Sequence, residues 1–259
     1  MRACANRKGR CLVEFSGVSL NFADKPIFVD LNLSIWSGEC LAILGPSGVG
    51  KSTLLRLLLE TLQPWCGSIY FDGTEITHLS REGRNKIRRR IGMVFQSSAL
   101  FTSLSVSENL AMVLRELTSK HEEEIEAIVE EKLHFVGLER AKDLMPSQLS
   151  GGMKKRIAVA RALVLNPDLL FFDEPTTGLD PVEAGQVSEL IVHLKQTAAI
   201  TILVVSRDLH SAFRVATRIA VLDQGRISKR DLRSPSNALA TVSSGNCLRR
   251  ASKMVPPMV

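Results

Sequence analysis

Nine consecutive residues carry the most pointed chemistry in this chain: Gly45-Pro46-Ser47-Gly48-Val49-Gly50-Lys51-Ser52-Thr53. They fit the spacing G-x-x-x-x-G-K-[ST], in which a loop lends its backbone N–H groups to a polyphosphate. The glycines let the backbone turn tightly with no side chain in the way. Lys51 would reach the β- and γ-phosphates, Ser52 would ligate Mg²⁺, and Thr53 would help hold the phosphate end. A second place complements the first. Leu169-Leu-Phe-Phe-Asp173-Glu174 is an apolar run that ends in two carboxylates. Asp173 is placed to hold Mg²⁺ through its water shell, and Glu174 to polarise an attacking water.

Such groups need elements that aim them. Cys40-Leu-Ala-Ile-Leu44 is a short apolar run with the character of a buried strand, and residues 54–59 have that of a helix. Strand, glycine loop and helix together point a helix N-terminus at one spot, which suits a phosphate. The runs 169–172 and 200–205 predict parallel strands buried on both faces. A helix over 181–197 lies between them and makes a βαβ unit. Residues 12–22 and 27–35 alternate in hydropathy, and Asp24-Lys25-Pro26 predicts a turn between them, so an antiparallel pair opens the chain. A strand with an Asp-Gly turn follows over 67–73, and another strand over 91–96. Residues 107–116 and 122–133 have helical spacing with acidic outer faces, which predicts an all-helical insert. Residues 218–222 and 225–227 predict a closing pair of strands. Beyond Ile227 the periodicity fades into a Ser- and Pro-containing tail.

Between the two phosphate-site elements stands Leu149-Ser150-Gly151-Gly152-Met153-Lys-Lys-Arg156. A helix start with a small hydroxyl and bare backbone is a second anion site. In this order and company the motif resembles L-S-G-G-Q of the ATP-binding-cassette (ABC) ATPases. The resemblance runs from about residue 12 to 227, with one copy of each motif. It implies ATP and Mg²⁺ as cofactors. It also implies that Ser150, Gly151 and Gly152 clamp the γ-phosphate bound by an opposite subunit, so that the chain works as a homodimer. Phe22 matches the aromatic that stacks on adenine. Gln96 matches the residue that senses the γ-phosphate and Mg²⁺ and joins core to helical insert. Gly178-Leu-Asp180 matches the loop that crosses the dimer interface. Met153 in place of Gln, and the stretch from Phe95 to Asn109, resemble the ATPase subunits of MCE-type transporters, which move phospholipids or sterols between bacterial envelope membranes. One position departs: where the family has a His before Asp, this chain has Ser206-Arg207-Asp208. Arg207 is permanently charged and cannot accept a proton as imidazole does. ATP binding is therefore expected intact, and hydrolysis slower or differently gated.

The composition is that of a globular protein, with 259 residues, 45% hydrophobic and 23% charged. No apolar run reaches the roughly 18 residues that span a bilayer, so separate permease subunits are expected. They would dock where the helical insert meets the Gln96 loop, with 97–107 as the candidate contact. Five scattered cysteines without a C-x-x-C pair argue for reduced thiols. The +6 formal charge collects at 84–90 and in the C-terminal tail. It invites a nucleic-acid partner, but neither a second cassette nor a long coiled coil accompanies it, and none is expected. The fold expected is α/β: a P-loop NTPase core with a mixed sheet, an N-terminal antiparallel β region and an inserted helical subdomain over about 97–162. The ATPase domain is expected over 1–227 and a basic, loosely ordered tail over 228–259. An MCE-type lipid-binding partner and a place on the cytoplasmic face of the inner membrane complete the expectation. Import of a small solute such as an amino acid or a metal, or lipoprotein release, is the rival within transport.

Overall fold

The computed structural model describes residues 9–23, 25–198 and 200–228. The C-terminal basic tail, the first eight residues and Asp24 of the expected turn lie outside the described residues. Strands β1 (Cys11–Phe22) and β2 (Lys25–Trp36) form the opening antiparallel pair, with Val13 opposite Ile35 and Leu20 opposite Phe28. β2 begins two residues earlier than its alternation predicts. Pro26 is tolerated there because β2 is an edge strand, where a missing N–H costs no ladder bond.

Strand β3 (Cys40–Leu44) runs into the glycine loop and helix α1 (Lys51–Leu58). β4 (Cys66–Phe71) and the short β5 (Thr74–Glu75) complete the four-stranded sheet β2-β1-β4-β5. The basic run then forms helix α2 (Arg81–Arg89), which buries only Ile87. After β6 (Ile91–Val94) come three helices: α3 (Val106–Leu117), α4 (Glu122–Phe135) and α5 (Gly151–Leu163). The chain closes through β7 (Leu169–Asp173), α6 (Pro181–Thr197), β8 (Thr201–Ser206), α7 (Leu209–Val215), β9 (Arg218–Asp223) and β10 (Arg226–Ser228).

The second sheet has the order β10-β9-β3-β8-β7-β6, parallel except for the β9–β10 hairpin. Every residue of β3 and β8 is buried, as continuous apolar strands covered on both faces require. The two-residue period of a strand splits its side chains between two cores. Leu169, Phe171, Leu203 and Val205 pack with α1 and the antiparallel sheet. Leu170, Phe172, Ile202 and Val204 pack on the other side with α3, α4, α5 and α6. The result is three layers, with the inserted helices on one face of the nucleotide-loop sheet. The register sets Leu44 beside Ser206, Asp173 beside Val205, and Val94 beside Phe172. Four adjacent strands therefore end together, and the residues that follow them share one rim, the place where open α/β sheets bind ligands. No helix among the described residues is long and apolar enough to cross a membrane.

Candidate active site

The glycine loop leaves β3 at Gly45 and delivers Lys51 as the first residue of α1. Gly50 sits at φ 106°, and a Cβ there would come 2.9 Å from Ile27 Cγ2 and 3.1 Å from the Phe28 ring. Only glycine meets both conditions. No side chain caps α1, so its first N–H groups remain for whatever the loop holds. Lys51 is buried, and its Nζ folds back to donate to the carbonyls of Gly45 (2.9 Å) and Pro46 (3.0 Å). Burial lowers its pKa, and the charge of Glu174 works against that shift.

β7 supplies the carboxylates. Ser52 Oγ donates to Asp173 Oδ2 at 2.9 Å, joining the loop to the strand end. Burial raises the Asp173 carboxyl, the Ser52 hydrogen bond lowers it, and the nearby Glu174 charge raises it again. Glu174 takes a left-handed backbone with φ 47°, a strain of about 1–3 kcal/mol in a non-glycine residue. Its N–H donates to Val205 O (2.9 Å), which anchors it to β8. The side chain is buried among donors. Oε1 lies 3.4 Å from Lys51 Nζ and 3.2 Å from Arg207 Nε, and Oε2 accepts from Thr177 Oγ1 (3.1 Å) and the Arg207 N–H (3.2 Å). Arg207 Nη1 also donates to Ser47 Oγ at 3.1 Å. Arg207 thus bridges the glycine loop to the strand end that carries Glu174.

One cleft joins these groups. Ser47, Gly48, Gly50, Lys51, Ser52 and Thr53 line it from the loop; Gln96, Asp173, Glu174 and Arg207 line it from the sheet rim; Phe22 and Ile27 close its far end. Phe22 is 42% exposed, so its ring is open to a ligand and is not spent on the core. Gly45, Pro46 and Val49 shape the loop from behind. A Cβ on Gly45 would come 2.6 Å from Leu222 O, and Val49 packs against the antiparallel-sheet core. Ser150, Gly151, Gly152 and Asp180 are not brought into this cleft. Ser150 caps α5, its Oγ accepting from the Met153 N–H at 3.2 Å. Asp180 caps α6, accepting from Val182 and Glu183 N–H at 2.9 Å each. The two helix starts abut, since a Cβ on Gly152 would come 3.1 Å from Glu183. His210 lies in the first turn of α7, its N–H donating to the capping Asp208. Two participants escape a sequence reading: Ile27 enters through the β1–β2 pairing, and Thr177 through the turn after Glu174.

An array of loop amides, a buried lysine, a hydroxyl paired with a carboxylate, and a second carboxylate held between two cations can bind a triphosphate and activate water against it. Residues 28–177 match the ABC transporter family. The chain belongs to that family. It is an ATPase coupled to transport, built on the ABC cassette fold. Over 205 residues it is 45% identical to the intermembrane phospholipid transport system ATP-binding protein MlaF of Haemophilus influenzae, covering 79% of this chain and 78% of that one. It is 42% identical over 210 residues to the probable ribonucleotide transport ATP-binding protein mkl of Mycobacterium tuberculosis, covering 81% of this chain and 58% of that protein. The dimeric, ADP- and phosphate-bound cassette MJ0796 superposes with a TM-score of 0.77 at 32% identity, over 86% of this chain and all of that one.

Proposed function

We propose that this ABC subunit powers movement of phospholipid, or a related lipid, across the bacterial envelope. Its likeness to MlaF over about four-fifths of both chains carries this reading, and Met153 in the signature agrees with it. The ATPase domain spans 1–227, with its helical subdomain over about 97–162 and the tail over 228–259. Two copies close around two ATP molecules, each held between 45–53 of one copy and Ser150–Gly152 of the other, with Asp180 at the interface. Contacts made only in the closed dimer turn ATP affinity into a conformational bias. Integral-membrane permease subunits dock on 97–107, an MCE-type lipid-binding protein completes the system, and the ATPase sits on the cytoplasmic face of the inner membrane.

In the cleft, Phe22 stacks on the adenine and Lys51 and Arg207 hold γ-phosphate charge. The Ser52–Asp173 pair, with Gln96 beside it, offers oxygen ligands of the kind Mg²⁺ takes. When bound, Mg²⁺ neutralises charge on the β- and γ-phosphates. Glu174 accepts the proton of the attacking water as its oxygen bonds to the γ-phosphorus, and the bond from that phosphorus to the bridging oxygen breaks.

The cargo is tested by pull-down of the tagged chain from a mild-detergent extract, with mass spectrometry of proteins and lipids. Recovery of a multi-span permease, an MCE-domain protein and enriched phospholipid is the expected result. A permease with a periplasmic solute-binding protein and no enriched lipid would move the function to small-solute import. The likeness to mkl makes ribonucleotide the first solute to try.

A further inference from the structure

Lys155 stands in the second turn of α5 and is only 3% exposed. Among the described residues no carboxylate lies within ion-pairing distance of it. The charge it faces is that of Asp173, and burial pushes its ammonium down to about 8. Burying an ammonium without a paired carboxylate is costly, and an apolar side chain of the same length would fill the place at less cost. What the ammonium gains instead is two backbone acceptors. Nζ donates to Phe95 O at 3.1 Å and to Gln96 O at 2.5 Å. Those carbonyls belong to the segment whose Gln96 side chain lines the cleft.

The rest of that segment is fastened by other residues. Two turns further along α5, Arg161 donates to Ala99 O (2.7 Å) and Ser98 O (3.0 Å). From α3, the fully buried Asn109 accepts from the Phe101 N–H and donates to Phe101 O, Leu104 O and Ser105 O. These ties hold residues 98–105. Only Lys155 among them reaches the backbone of Gln96 itself. It does so from the helix that begins at Ser150, so one side chain spans the signature helix and the γ-phosphate-sensing residue.

We propose that Lys155 is a positioning residue for hydrolysis: it holds the Gln96 backbone against the signature helix, so that helix and Gln96 move as one body. The inference rests on the reading of Gln96 as the residue that meets the γ-phosphate and Mg²⁺. Lys155 does not line the cleft, so its loss acts on the rate and not on nucleotide affinity. A misplacement of about 1 Å at a reacting centre can cost about 100-fold.

The test is a cycle of four chains: wild type, Lys155→Met, Gln96→Ala and the double variant, each checked for an unchanged thermal midpoint. Lys155→Met should lower kcat by about 10- to 100-fold, with KM for ATP within about twofold of the parent, the signature of an interaction made in the transition state. In the Gln96→Ala background the same change should add less than about twofold, because residues that act through one another are not additive. Lys155→Gln keeps a donor group that is one atom shorter and should recover part of the lost rate; it also carries the test if the Met variant fails to fold. Wild-type kcat in Lys155→Met, or losses that multiply in the double variant, would overturn the inference. If Gln96→Ala alone turns over like the parent, the reading of Gln96 fails, and a slow Lys155→Met chain would then act by another route.

Discussion

Helices α1 and α5 both begin at glycines with a hydroxyl close by, but α1 has no side-chain cap while Ser150 caps α5. Their surroundings differ. Around the start of α1 stand Lys51, Asp173, Glu174, Gln96 and Arg207, with Ser52 bonded to Asp173 and Glu174 between Lys51 and Arg207. Around the start of α5 stand Ser150, which caps its own helix, and Glu183 of the neighbouring α6. One end carries a carboxylate held between two cations and a hydroxyl paired with a second carboxylate, the groups the proposed chemistry uses. The other offers oriented N–H groups, a hydroxyl and the single carboxylate of Glu183, which pairs with no cation among the described residues. Ser150 Oγ accepts from Met153 N–H and still has its own hydrogen to donate. Such an end can stabilise charge that is activated elsewhere. The asymmetry fits the proposed division, with chemistry at one helix start and complementation by the other from a second copy.

The largest expected effect removes the base and leaves the shape. Glu174→Gln preserves volume in a buried position, so the fold should hold while turnover falls about 10²- to 10⁴-fold, the scale of a lost general base. Nucleotide should stay bound, and size-exclusion chromatography with ATP should show a dimer that does not decay. Parental turnover would remove Glu174 from the chemistry. Next in size is Ser150→Asp. Aspartate caps helices as well as serine, so α5 should survive, but its charge repels a phosphate. Turnover should fall about 100-fold, the scale of a lost transition-state donor, with ATP affinity of the isolated chain unchanged. Mixing the two inactive variants is the sharpest test. A heterodimer has one site with an intact Glu174 from one copy and an intact Ser150 from the other. Turnover above that of either parent supports the division; none would place both elements in one copy's site.

Local chemistry made half of this legible in advance. The glycine loop and the Asp173-Glu174 strand end announce themselves because their residues are contiguous, and because the strands that carry them are apolar without interruption. The antiparallel opening follows from alternation, and the βαβ unit from two uninterrupted apolar runs with a helical stretch between them. Helix α2 does not, because its contact with the core is one residue, Ile87, so its mostly charged positions carry no repeated apolar stripe. α7 hides for a like reason, burying only Ala212 and Val215. Lys155 is illegible for a different reason. In Lys154-Lys155-Arg156 it looks like one of three surface charges, and only the packing of α5 against the Gln96 loop makes it a buried tether. Ile27 reaches the cleft through strand pairing and has no local mark.

Arg207 tests how strictly the first helix start depends on its neighbours. Its guanidinium touches Glu174 and Ser47 together. Arg207→His should replace that fixed charge with a ring that titrates near 6.5. Above that pH the ring is neutral and Glu174 loses one of its two cations, so the carboxylate becomes a freer base. Turnover at pH 8 should rise by up to about tenfold, the worth of one charged hydrogen bond. The gain should disappear as pH falls through about 6.5 and the imidazole becomes charged. Steady-state rates from pH 5.5 to 8.5 decide it. Unchanged turnover across the range would mean that Arg207 is a spectator to the chemistry.

The smallest effect belongs to the end of the cleft that carries no charge. Phe22 comes from the antiparallel sheet and not from the sheet whose strand ends hold the carboxylates. Its ring is accessible and close to Ile27, so it can offer area to a base but nothing to a phosphate. Aromatic stacking adds about 0.5–1.5 kcal/mol beyond buried area, so Phe22→Ala should weaken ATP binding by about 2- to 10-fold. Because stacking is tolerant of base identity, GTP should lose a similar factor. kcat at saturating ATP should not move, since the ring touches no reacting atom. Isothermal titration and initial rates on the same preparation separate the two quantities. If kcat falls with affinity, the ring also orients the triphosphate, and the antiparallel sheet would share in the chemistry that the contrast of α1 with α5 assigns to the parallel one.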